Sequence, residues 1–258
     1  MNKIGLKLWN INTDYYFEEA KRLYIENVFD YIELYIVPGH LDKIDKWTEL
    51  NIPFDIHAPH SAHGMNLSKK ELFDNNYQLY LETKQYADVL GAEIIVFHGG
   101  VDGTIEQTIE QLSSFNDRRI LIENKPYKVM PFIQGKRYVG TIPTDIILTM
   151  NQTGYGFCFD VCHALCVEKS LGMKPYSLCS EFVKLNPLRV HLSDHKLSEE
   201  LDSHLNYGKG EIDFSYILKQ LPKNIAITIE TQKACSTNLD DFISDVNFLK
   251  AKIMDLTI

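Results

Sequence analysis

Short runs of apolar and β-branched residues alternate with longer amphipathic stretches along the sequence. The short runs predict eight β-strands, at residues 4–9, 31–36, 54–57, 93–98, 119–123, 155–160, 188–193 and 226–230. The stretches between them have helical spacing, as at residues 15–26, 69–90, 104–115 and 238–250. Strands that alternate with helices predict βαβ units and a parallel sheet.

The number of repeats and the chain length together predict a closed barrel. Residues 94–97 and 225–229 are nearly continuous apolar runs, which is typical of parallel strands buried on both faces. Eight strand–helix repeats in 258 residues match a (β/α)8 TIM barrel. The alternative is an open doubly wound sheet. No G-x-G-x-x-G follows the first strand, so the dinucleotide-binding version of that fold lacks its fingerprint here. No linker or composition shift divides the chain, so we expect one TIM-barrel domain over residues 1–258.

Charge and hydropathy narrow the possible partners. The formal net charge is −9, and only five residues are arginine. Such a surface does not attract polyanions by bulk charge, so nucleic-acid binding would need a local basic patch or metal ions. No apolar run approaches the ~20 residues that cross a membrane. The first residues enter a strand pattern at once, which predicts no signal peptide. We expect a cytoplasmic protein with no membrane partner.

The five cysteines are odd in number and contain no C-x-x-C pair, which favours reduced thiols. Cys158, Cys162 and Cys166 are spaced by four residues. The first is predicted in a strand and the other two in a helix, so they should not share a face. We expect them to pack as small apolar side chains rather than to bind metal.

Metal-binding residue types stand at the C-terminal tips of six successive predicted strands. These are His57, His98, Glu123, Asp160, His191 and Glu230. His163 follows at the start of a predicted helix, and Asp202 and His204 lie in the loop after the seventh strand. Because these tips converge on one face of a barrel, the side chains should meet there. Carboxylates so close together require cations or raised pKa values, and imidazole with carboxylate suits Zn, Mn or Fe.

Other polar residues near the tips are weaker candidates. His60 and His63 lie in the loop after the third strand and are candidate substrate contacts. His195 is placed to orient a metal ligand by a hydrogen bond. His40 is expected at the surface. Glu33 lies inside the second strand, where it either faces the barrel mouth or pairs with a charge beneath the site.

Four short motifs resemble the endonuclease IV family, within the xylose-isomerase-like TIM barrels. The sequence D-V-C-H-A at residues 160–164 is similar to the family's D-x-C-H-A, and D-S-H at 202–204 precedes G-K-G at 208–210. I-E-N at 122–124 and N-L at 66–67 also fit. The match covers about two thirds of the chain, from residue 57 to residue 230.

The resemblance implies up to three zinc ions and a phosphodiesterase that cleaves DNA 5′ to an abasic site. The implied sites are His57, His98 and Glu123 for the first ion; Glu123 as a bridge with Asp160, His191 and Glu230 for the second; and His163, Asp202 and His204 for the third. Glu123 and Glu230 are the candidate catalytic residues. Close metal ions stabilise both oxygens of a phosphoryl displacement and supply hydroxide at neutral pH.

The sequence also departs from that family. Residues 57–66 are longer than the family's equivalent, and Lys125-Pro126 replaces the small residues usual after the Glu-Asn pair. The arginine and aromatic residues that the family inserts into bent DNA are not identifiable. His60, Asn66 and Lys125 are the candidate substrate contacts. The connection at residues 125–141 is either an active-site loop or a surface excursion.

Two further functions compete with the phosphodiesterase. Related barrels are sugar or sugar-phosphate isomerases and epimerases that hold one Mn²⁺-type ion by counterparts of Glu123, Asp160, His191 and Glu230. In that case the two glutamates exchange protons with a keto-sugar, and His163 and Lys125 bind hydroxyls or phosphate. A non-enzymatic metal-binding barrel is the third alternative. The candidate partners are therefore a small phosphoester, a sugar or abasic DNA, and the oligomeric state is not predicted.

Overall fold

A computed structural model describes residues 2–256 of the protein. Within that range eight parallel strands close into a barrel, each paired with the next along the chain and β8 paired with β1. The strands are β1 (Ile4–Trp9), β2 (Tyr31–Tyr35), β3 (Phe54–His57), β4 (Ile95–His98), β5 (Ile120–Glu123), β6 (Gly156–Asp160), β7 (Arg189–Leu192) and β8 (Ala226–Ile229). The predicted (β/α)8 barrel is confirmed. Residues 1, 257 and 258 of the predicted domain lie outside the described residues, and its single-domain extent stays a prediction.

The predicted strands are correctly placed, but most extend one or two residues beyond the observed bounds. The extra residues flank the paired segments at either end, and both polar and apolar residues occur among them, so residue type alone does not mark a strand end. Glu230 illustrates this: it follows β8 directly, and its backbone N–H still donates to Leu192 O (3.1 Å). The tip residues therefore remain anchored to the barrel.

Helices separate the strands, with further helices in some of the connections. They are α1 (Phe17–Ile25), α2 (Ile44–Thr48), α3 (Phe73–Val89), α4 (Ile105–Phe115), α5 (Pro143–Thr153), α6 (Val161–Ser170), α7 (Ser177–Val183), α8 (Phe214–Gln220) and α9 (Asp240–Asp255). The helix predicted at 69–90 is a 3-10 turn, Lys70–Leu72, followed by α3. None of the helices in residues 2–256 is long and apolar enough to span a bilayer.

The main apolar core lies between the barrel and the helices around it. Alternate residues of each strand point outward, so that Leu6 and Leu8 of β1 and Ile32 of β2 are fully buried in this layer. Burial of each such side chain contributes roughly 1.5–3 kcal/mol. The intervening residues of the same strands point inward.

The interior of the barrel is largely polar. Arg189 of β7 donates to the Asp55 carboxylate of β3 across the barrel, with Nε and Oδ2 2.6 Å apart. Tyr31 and Thr228 share a hydrogen bond of 2.8 Å, and the Thr228 hydroxyl donates to Glu33 Oε2 (2.8 Å). Side chains of strands that are not neighbours can meet in this way only inside the barrel. The carboxylates of Asp55 and Glu33 are buried, and each is paired with a basic side chain, as burial of a charge requires.

Gly5 makes room for one of these interior side chains. A Cβ at this position would lie 2.4 Å from Cζ of Tyr31. The absence of a side chain on β1 therefore lets the Tyr31 ring lie across the barrel floor toward Thr228.

The cysteines are free thiols within the described residues, and four of the five are buried. Cys158 lies inside the barrel, close enough to Glu123 and His191 to share a potential metal position with them. Burial, however, raises the pKa of the Cys158 thiol to about 12, and metal ligation requires the thiolate. Cys162 Sγ contacts the Ser193 hydroxyl at 3.1 Å instead.

Candidate metal centre

Glu123, at the tip of β5, stands at the centre of the predicted ligands. Its Oε2 lies 3.1 Å from Nε2 of His57, 3.1 Å from Nε2 of His98 and 3.3 Å from Nδ1 of His191. Its other oxygen, Oε1, lies 3.0 Å from Nδ1 of His163. Burial alone would raise the pKa of Glu123, but the positive charges around it hold that pKa well below its usual range. Glu123 is therefore an ionised carboxylate with both oxygens facing imidazoles.

Three of the histidines are oriented by a hydrogen bond from one of their two ring nitrogens to a carbonyl or carboxylate oxygen. His57 Nδ1 donates to Ala58 O (2.8 Å), and His163 Nδ1 donates to Asn124 O (2.8 Å). His191 Nε2 donates to Glu33 Oε2 (2.9 Å). The opposite nitrogen of each ring then presents its lone pair to a carboxylate. Acceptors that face acceptors are favourable only with a proton or a metal cation between them, and this orientation is typical of metal-binding histidines.

Asp160 and His163 are positioned together by the start of α6. Asp160 is the N-cap of this helix, and its Oδ1 accepts the His163 backbone N–H (2.8 Å). Asn124 joins the tips of β5 and β6, because its side chain exchanges two 2.8 Å hydrogen bonds with the Asp160 backbone. Burial raises the pKa of Asp160 to about 6. His163 opposes this effect, and the negative charges of Asp202 and Glu123 add to it.

Asp202 brings a second carboxylate to the other side of His163. Its Oδ2 is buried and accepts no hydrogen bond, yet it lies 3.2 Å from Nε2 of His163 and 3.1 Å from Nε2 of His204. The backbone N–H of His204 donates to Asp202 Oδ1 (3.1 Å), and His204 has a left-handed backbone with φ 46°. This conformation is uncommon for a residue with a side chain, and it turns the His204 ring toward Asp202.

Charged residues beneath the centre support it. Lys7 of β1 lies 2.5 Å from Glu33 Oε1 and also pairs with Glu230. Burial lowers the pKa of Lys7, but the negative charges of Glu230, Glu33 and Glu123 outweigh burial and raise that pKa. Glu33 thus pairs with a charge beneath the site, which is one of its two predicted positions. His191 Nδ1 lies 3.5 Å from Glu230 Oε2, so these two predicted ligands are close together.

The residues present fit divalent metal ions. Ligand atoms of His57, His98 and Glu123 lie within 4.8 Å of one another, as do those of Glu123, Asp160 and His163. The same holds for a group made of Glu33, His57, His191 and Glu230. Ligand-type atoms such as Asp202 Oδ2 and His191 Nδ1 are buried with no hydrogen-bond partner. A set of imidazoles and carboxylates with such unpartnered atoms is the donor set of Zn, Mn or Fe.

A cavity of about 750 Å³ opens above the centre. One wall is aromatic and is formed by Trp9, Tyr35, His60 and His63. The Tyr35 hydroxyl contacts His63 Nδ1 at 2.7 Å and accepts the His60 backbone N–H (3.0 Å). His60 Nδ1 accepts the Ala62 N–H (3.1 Å), so the proton of its neutral ring is on Nε2. Burial lowers the pKa of His60 to about 2, and this ring is a neutral donor at neutral pH.

The opposite wall is built by residues 125–141, which we call the β5–α5 arm. Isolated bridges join Val101 to Tyr138 and Lys128 to Arg137 within this region. Ile133 and Tyr138 are buried against Val101. Gly135 also approaches Val101 closely, because a Cβ on Gly135 would lie 2.2 Å from Val101 Cγ1. The side chains of the arm that line the cavity are Lys125, Pro126, Met130, Phe132, Ile133 and Tyr138. The arm is thus packed at the cavity, as the active-site-loop alternative predicts.

The predicted substrate contacts differ in where they lie. His60 and Lys125 line the cavity. Asn66 is not among the lining residues: its Oδ1 accepts the Val101 N–H (2.9 Å), and its Nδ2 donates to Val101 O (2.9 Å). Asn66 therefore ties the loop after β3 to the loop after β4. His195 lies behind the centre, where its Nε2 is 3.2 Å from Glu199 O.

Sequence reasoning missed several residues of the centre and cavity. Lys7 carried a signal, because a single lysine interrupts the otherwise apolar strand β1. Trp9 and Tyr35 end strands β1 and β2 and resemble ordinary core aromatics in sequence. Lys233 also lines the cavity, and burial lowers its pKa to about 8. Its loop position, three residues after Glu230, gave no pattern to detect.

The chain resembles several solved structures over nearly its whole length. A D-tagatose 3-epimerase-like protein is 19% identical, with a TM-score of 0.74 over 99% of this chain and 98% of that one. Endonuclease IV from Thermus thermophilus is 20% identical, with a TM-score of 0.70 over 98% and 99%. The TTHB071 protein of the same organism, soaked with ZnCl2, is 18% identical, with a TM-score of 0.69 over 98% of each chain. At these identities the likeness shows the shared fold alone.

Comparison by sequence leads to a family rather than to a single relative. No curated protein matches the chain. The solved structures of this fold include an endonuclease and epimerases, so the fold alone does not separate hydrolysis from isomerisation. A family model described as Xylose isomerase-like TIM barrel matches residues 22–252, and the chain therefore belongs to the xylose isomerase-like TIM barrel family.

Proposed function

We propose that the protein is a divalent-metal-dependent hydrolase of phosphoesters. The observation that carries the proposal is the position of Glu123, whose two oxygens face different sets of imidazoles. A carboxylate in this position can bridge ions, with His57, His98 and His191 facing Oε2 and His163 facing Oε1. Asp202, His163 and His204 add a further ligand group.

The ligand residues of this chain would hold zinc or a similar ion, as the resemblance to endonuclease IV implies. When bound, close divalent ions supply charge stabilisation to a phosphoryl group and a nucleophile at neutral pH. The protein's own residues orient the substrate beside them. His60 Nε2–H can donate to a phosphate oxygen, and Glu230, adjacent to Lys7, is kept ionised. The Glu230 pKa lies well below its usual range, because positive charge from His191 and Lys7 outweighs the effect of burial.

The substrate is proposed to be a small phosphoester, with abasic DNA as the larger candidate. The net charge of −9 disfavours a long polyanion. The β5–α5 arm is locally basic, however, because Lys125, Lys128, Lys136 and Arg137 are its only charged residues. An anionic group at the cavity would therefore meet positive charge from one side. The similarity in fold to an endonuclease IV is the reason to include abasic DNA as a second test substrate.

The test is phosphodiester cleavage by the purified, metal-loaded protein. Bis(p-nitrophenyl) phosphate and a duplex with one abasic site are the two substrates, and Zn²⁺ and Mn²⁺ are supplied in turn. We expect turnover that Glu123→Gln abolishes, since the amide cannot bridge two ions. Glu49→Gln, an exposed change on the surface, is the matched control. Absence of metal-dependent cleavage of either substrate would refute the hydrolase proposal.

A sugar or sugar-phosphate isomerase or epimerase is the second candidate, and one observation favours it. Nδ1 of His191 lies 3.3 Å from Glu123 and 3.5 Å from Glu230, so one ion could be held between the two glutamates together with Asp160. Glu123 and Glu230 would then exchange protons with a bound keto-sugar. The cavity of about 750 Å³ is large enough for a monosaccharide phosphate.

Solvent deuterium distinguishes the two functions. An isomerase or epimerase that works by proton transfer incorporates deuterium from D2O at a carbon next to the carbonyl of a ketose or ketose phosphate. A phosphoester hydrolase leaves those carbon positions unlabelled. NMR of a panel of ketoses with the Mn²⁺-loaded protein therefore separates the candidates, and labelling without phosphodiester cleavage would favour the second.

A further inference from the structure

Lys125 places an ammonium group among the predicted metal ligands. The residue is 7% exposed. Its Nζ lies 3.4 Å from Nε2 of His98 and 3.3 Å from Nε2 of His163. It also lies 3.7 Å from Oε1 of Glu123. These partners come from two ligand groups, His98 and Glu123 from one and His163 from the other, so the ammonium occupies the gap between the two groups.

The surrounding atoms are ones that a metal ion would also use. The His163 ring donates from Nδ1 to Asn124 O, which leaves the lone pair of Nε2 facing Lys125. A lysine ammonium has three donors and no acceptor, and three partners surround this one. An ion bound to either imidazole would need to lie about 2.0–2.1 Å from its nitrogen. An ammonium in the same gap repels such an ion strongly, because little water screens the two charges.

The fold holds Lys125 in this position. The residue follows Asn124 at the end of β5, and its backbone N–H donates to Gly140 O (3.0 Å) at the other end of the arm. The Lys125 Nζ lies 5.5 Å from the centre of the Tyr138 ring, a cation–π contact. Both ends of the β5–α5 arm thus fix the backbone from which the side chain enters the centre.

We propose that the Lys125 ammonium takes the place of one metal ion. The position that it occupies lies between two ligand groups, one made of His57, His98 and Glu123 and the other of His163, Asp202 and His204. The inference rests on the proposed metal dependence of the centre. The chain then binds one ion fewer than its ligand residues would otherwise accept, and the Lys125 ammonium faces the anionic part of the substrate.

The metal-to-chain ratio tests this proposal directly. Wild-type protein and Lys125→Met, which keeps most of the length of the side chain but not its charge, are loaded with Zn²⁺, freed of excess ions and measured by elemental analysis. We expect the ratio to rise by about one ion per chain in Lys125→Met. Lys128→Met removes a charge from the same arm, where Lys128 pairs with Glu200 outside the cavity, and should leave the ratio unchanged.

The possible outcomes are separable. An equal, non-zero ratio in wild type and Lys125→Met overturns the role of Lys125 but leaves the metal-dependent function standing. A lower ratio in the variant also overturns it, because Lys125 would then support the ions rather than replace one. No ion in either protein refutes both proposals together. Circular dichroism checks folding, and if Lys125→Met does not fold, Lys125→Gln is measured with the same expectation. The visible spectrum of Co²⁺-loaded protein provides a second readout, with a new ligand-field band expected in the neutral variants.

Discussion

Asp160 serves both the fold and the candidate metal centre. One of its oxygens caps α6 and thereby fixes the backbone of His163. The other lies 3.6 Å from Nδ1 of His163, on the side of the centre. A carboxylate at a helix N-terminus is normally favoured, because it accepts unpaired N–H groups. Here burial and neighbouring carboxylates oppose that effect, so the residue is costly to ionise unless a cation is bound.

His191→Ala should remove one ion and most activity. The change deletes the Nδ1 that faces Glu123 and Glu230, and it leaves Glu33 without its imidazole donor. We expect a loss in metal affinity of at least about 100-fold. Elemental analysis and phosphodiesterase assays measure it. His40→Ala should alter neither quantity, because His40 does not line the cavity and its hydrogen bonds to Glu82 and Tyr86 are made by its backbone. Equal losses in the two variants would contradict the assignment.

Asn66→Ala should lower stability and leave substrate affinity unchanged. The substitution removes two 2.9 Å hydrogen bonds to the Val101 backbone and one to the Ser68 hydroxyl (2.7 Å). With backbone groups left unpaired, we expect a loss of about 2–3 kcal/mol in the free energy of unfolding. Urea denaturation measures it, and KM is the control. A raised KM at unchanged stability would instead support the substrate contact predicted from the sequence.

At the scale of elements, the β5–α5 arm forms one wall of the cavity. Its two ends meet through Lys125 and Gly140, and its middle packs on Val101 in a small apolar cluster of its own. Asp102 accepts backbone N–H groups of Lys136 and Arg137 at 3.0 Å, which fixes the far side of the arm. The arm is therefore a built wall rather than a free surface loop, and it carries an apolar side chain into the mouth of the cavity.

Phe132→Ala should weaken substrate binding without affecting the fold. Phe132 lines the cavity although it is 72% exposed, so its loss removes little packing from the folded chain. Stacking on a substrate ring is worth roughly a kcal/mol, and we expect KM to rise about fivefold with kcat nearly unchanged. Steady-state kinetics measure both. Ile25→Ala, at an equally exposed residue of α1 outside the cavity, is the control. An unchanged KM would mean that Phe132 does not meet the substrate.

At the scale of the whole molecule, the barrel concentrates charge where its strands end. Glu33 and Asp55 are buried in the interior, Asp55 is paired with Arg189, and the ligand carboxylates lie above them. Closure of the sheet brings these groups together although they are far apart in the chain. The centre therefore joins the two halves of the barrel, and its occupancy by ions should be coupled to global stability.

The stabilisation caused by metal should grow as pH rises through about 6. In the metal-free protein the pKa of Asp160 is raised to about 6, above its value in the unfolded chain. Its contribution to stability is therefore complete below the unfolded pKa and is lost as pH rises through the folded pKa. An ion requires the ionised form and reverses this loss. We expect the difference in Tm between Zn²⁺-loaded and chelator-treated protein to be larger at pH 7.5 than at pH 5.5.

Thermal scans at the two pH values, with and without chelator, measure that difference. Asp160→Asn cannot titrate at this position and should show a smaller dependence on pH. A difference in Tm that is equal at both pH values would contradict the coupling between Asp160 and the ions.

The sequence by itself determined the barrel and the kinds of residue at its tips. Alternation of apolar and polar positions is a local property, so it predicted strands such as β1 and β3 to the residue. Metal-ligand types such as His57 and Glu123 are visible because their chemistry does not depend on neighbours. The tertiary structure decided how these groups face one another. Lys7 and Lys125 enter the centre, and Asn66 is turned away from it, because distant parts of the chain pack together, and no local pattern encodes that packing.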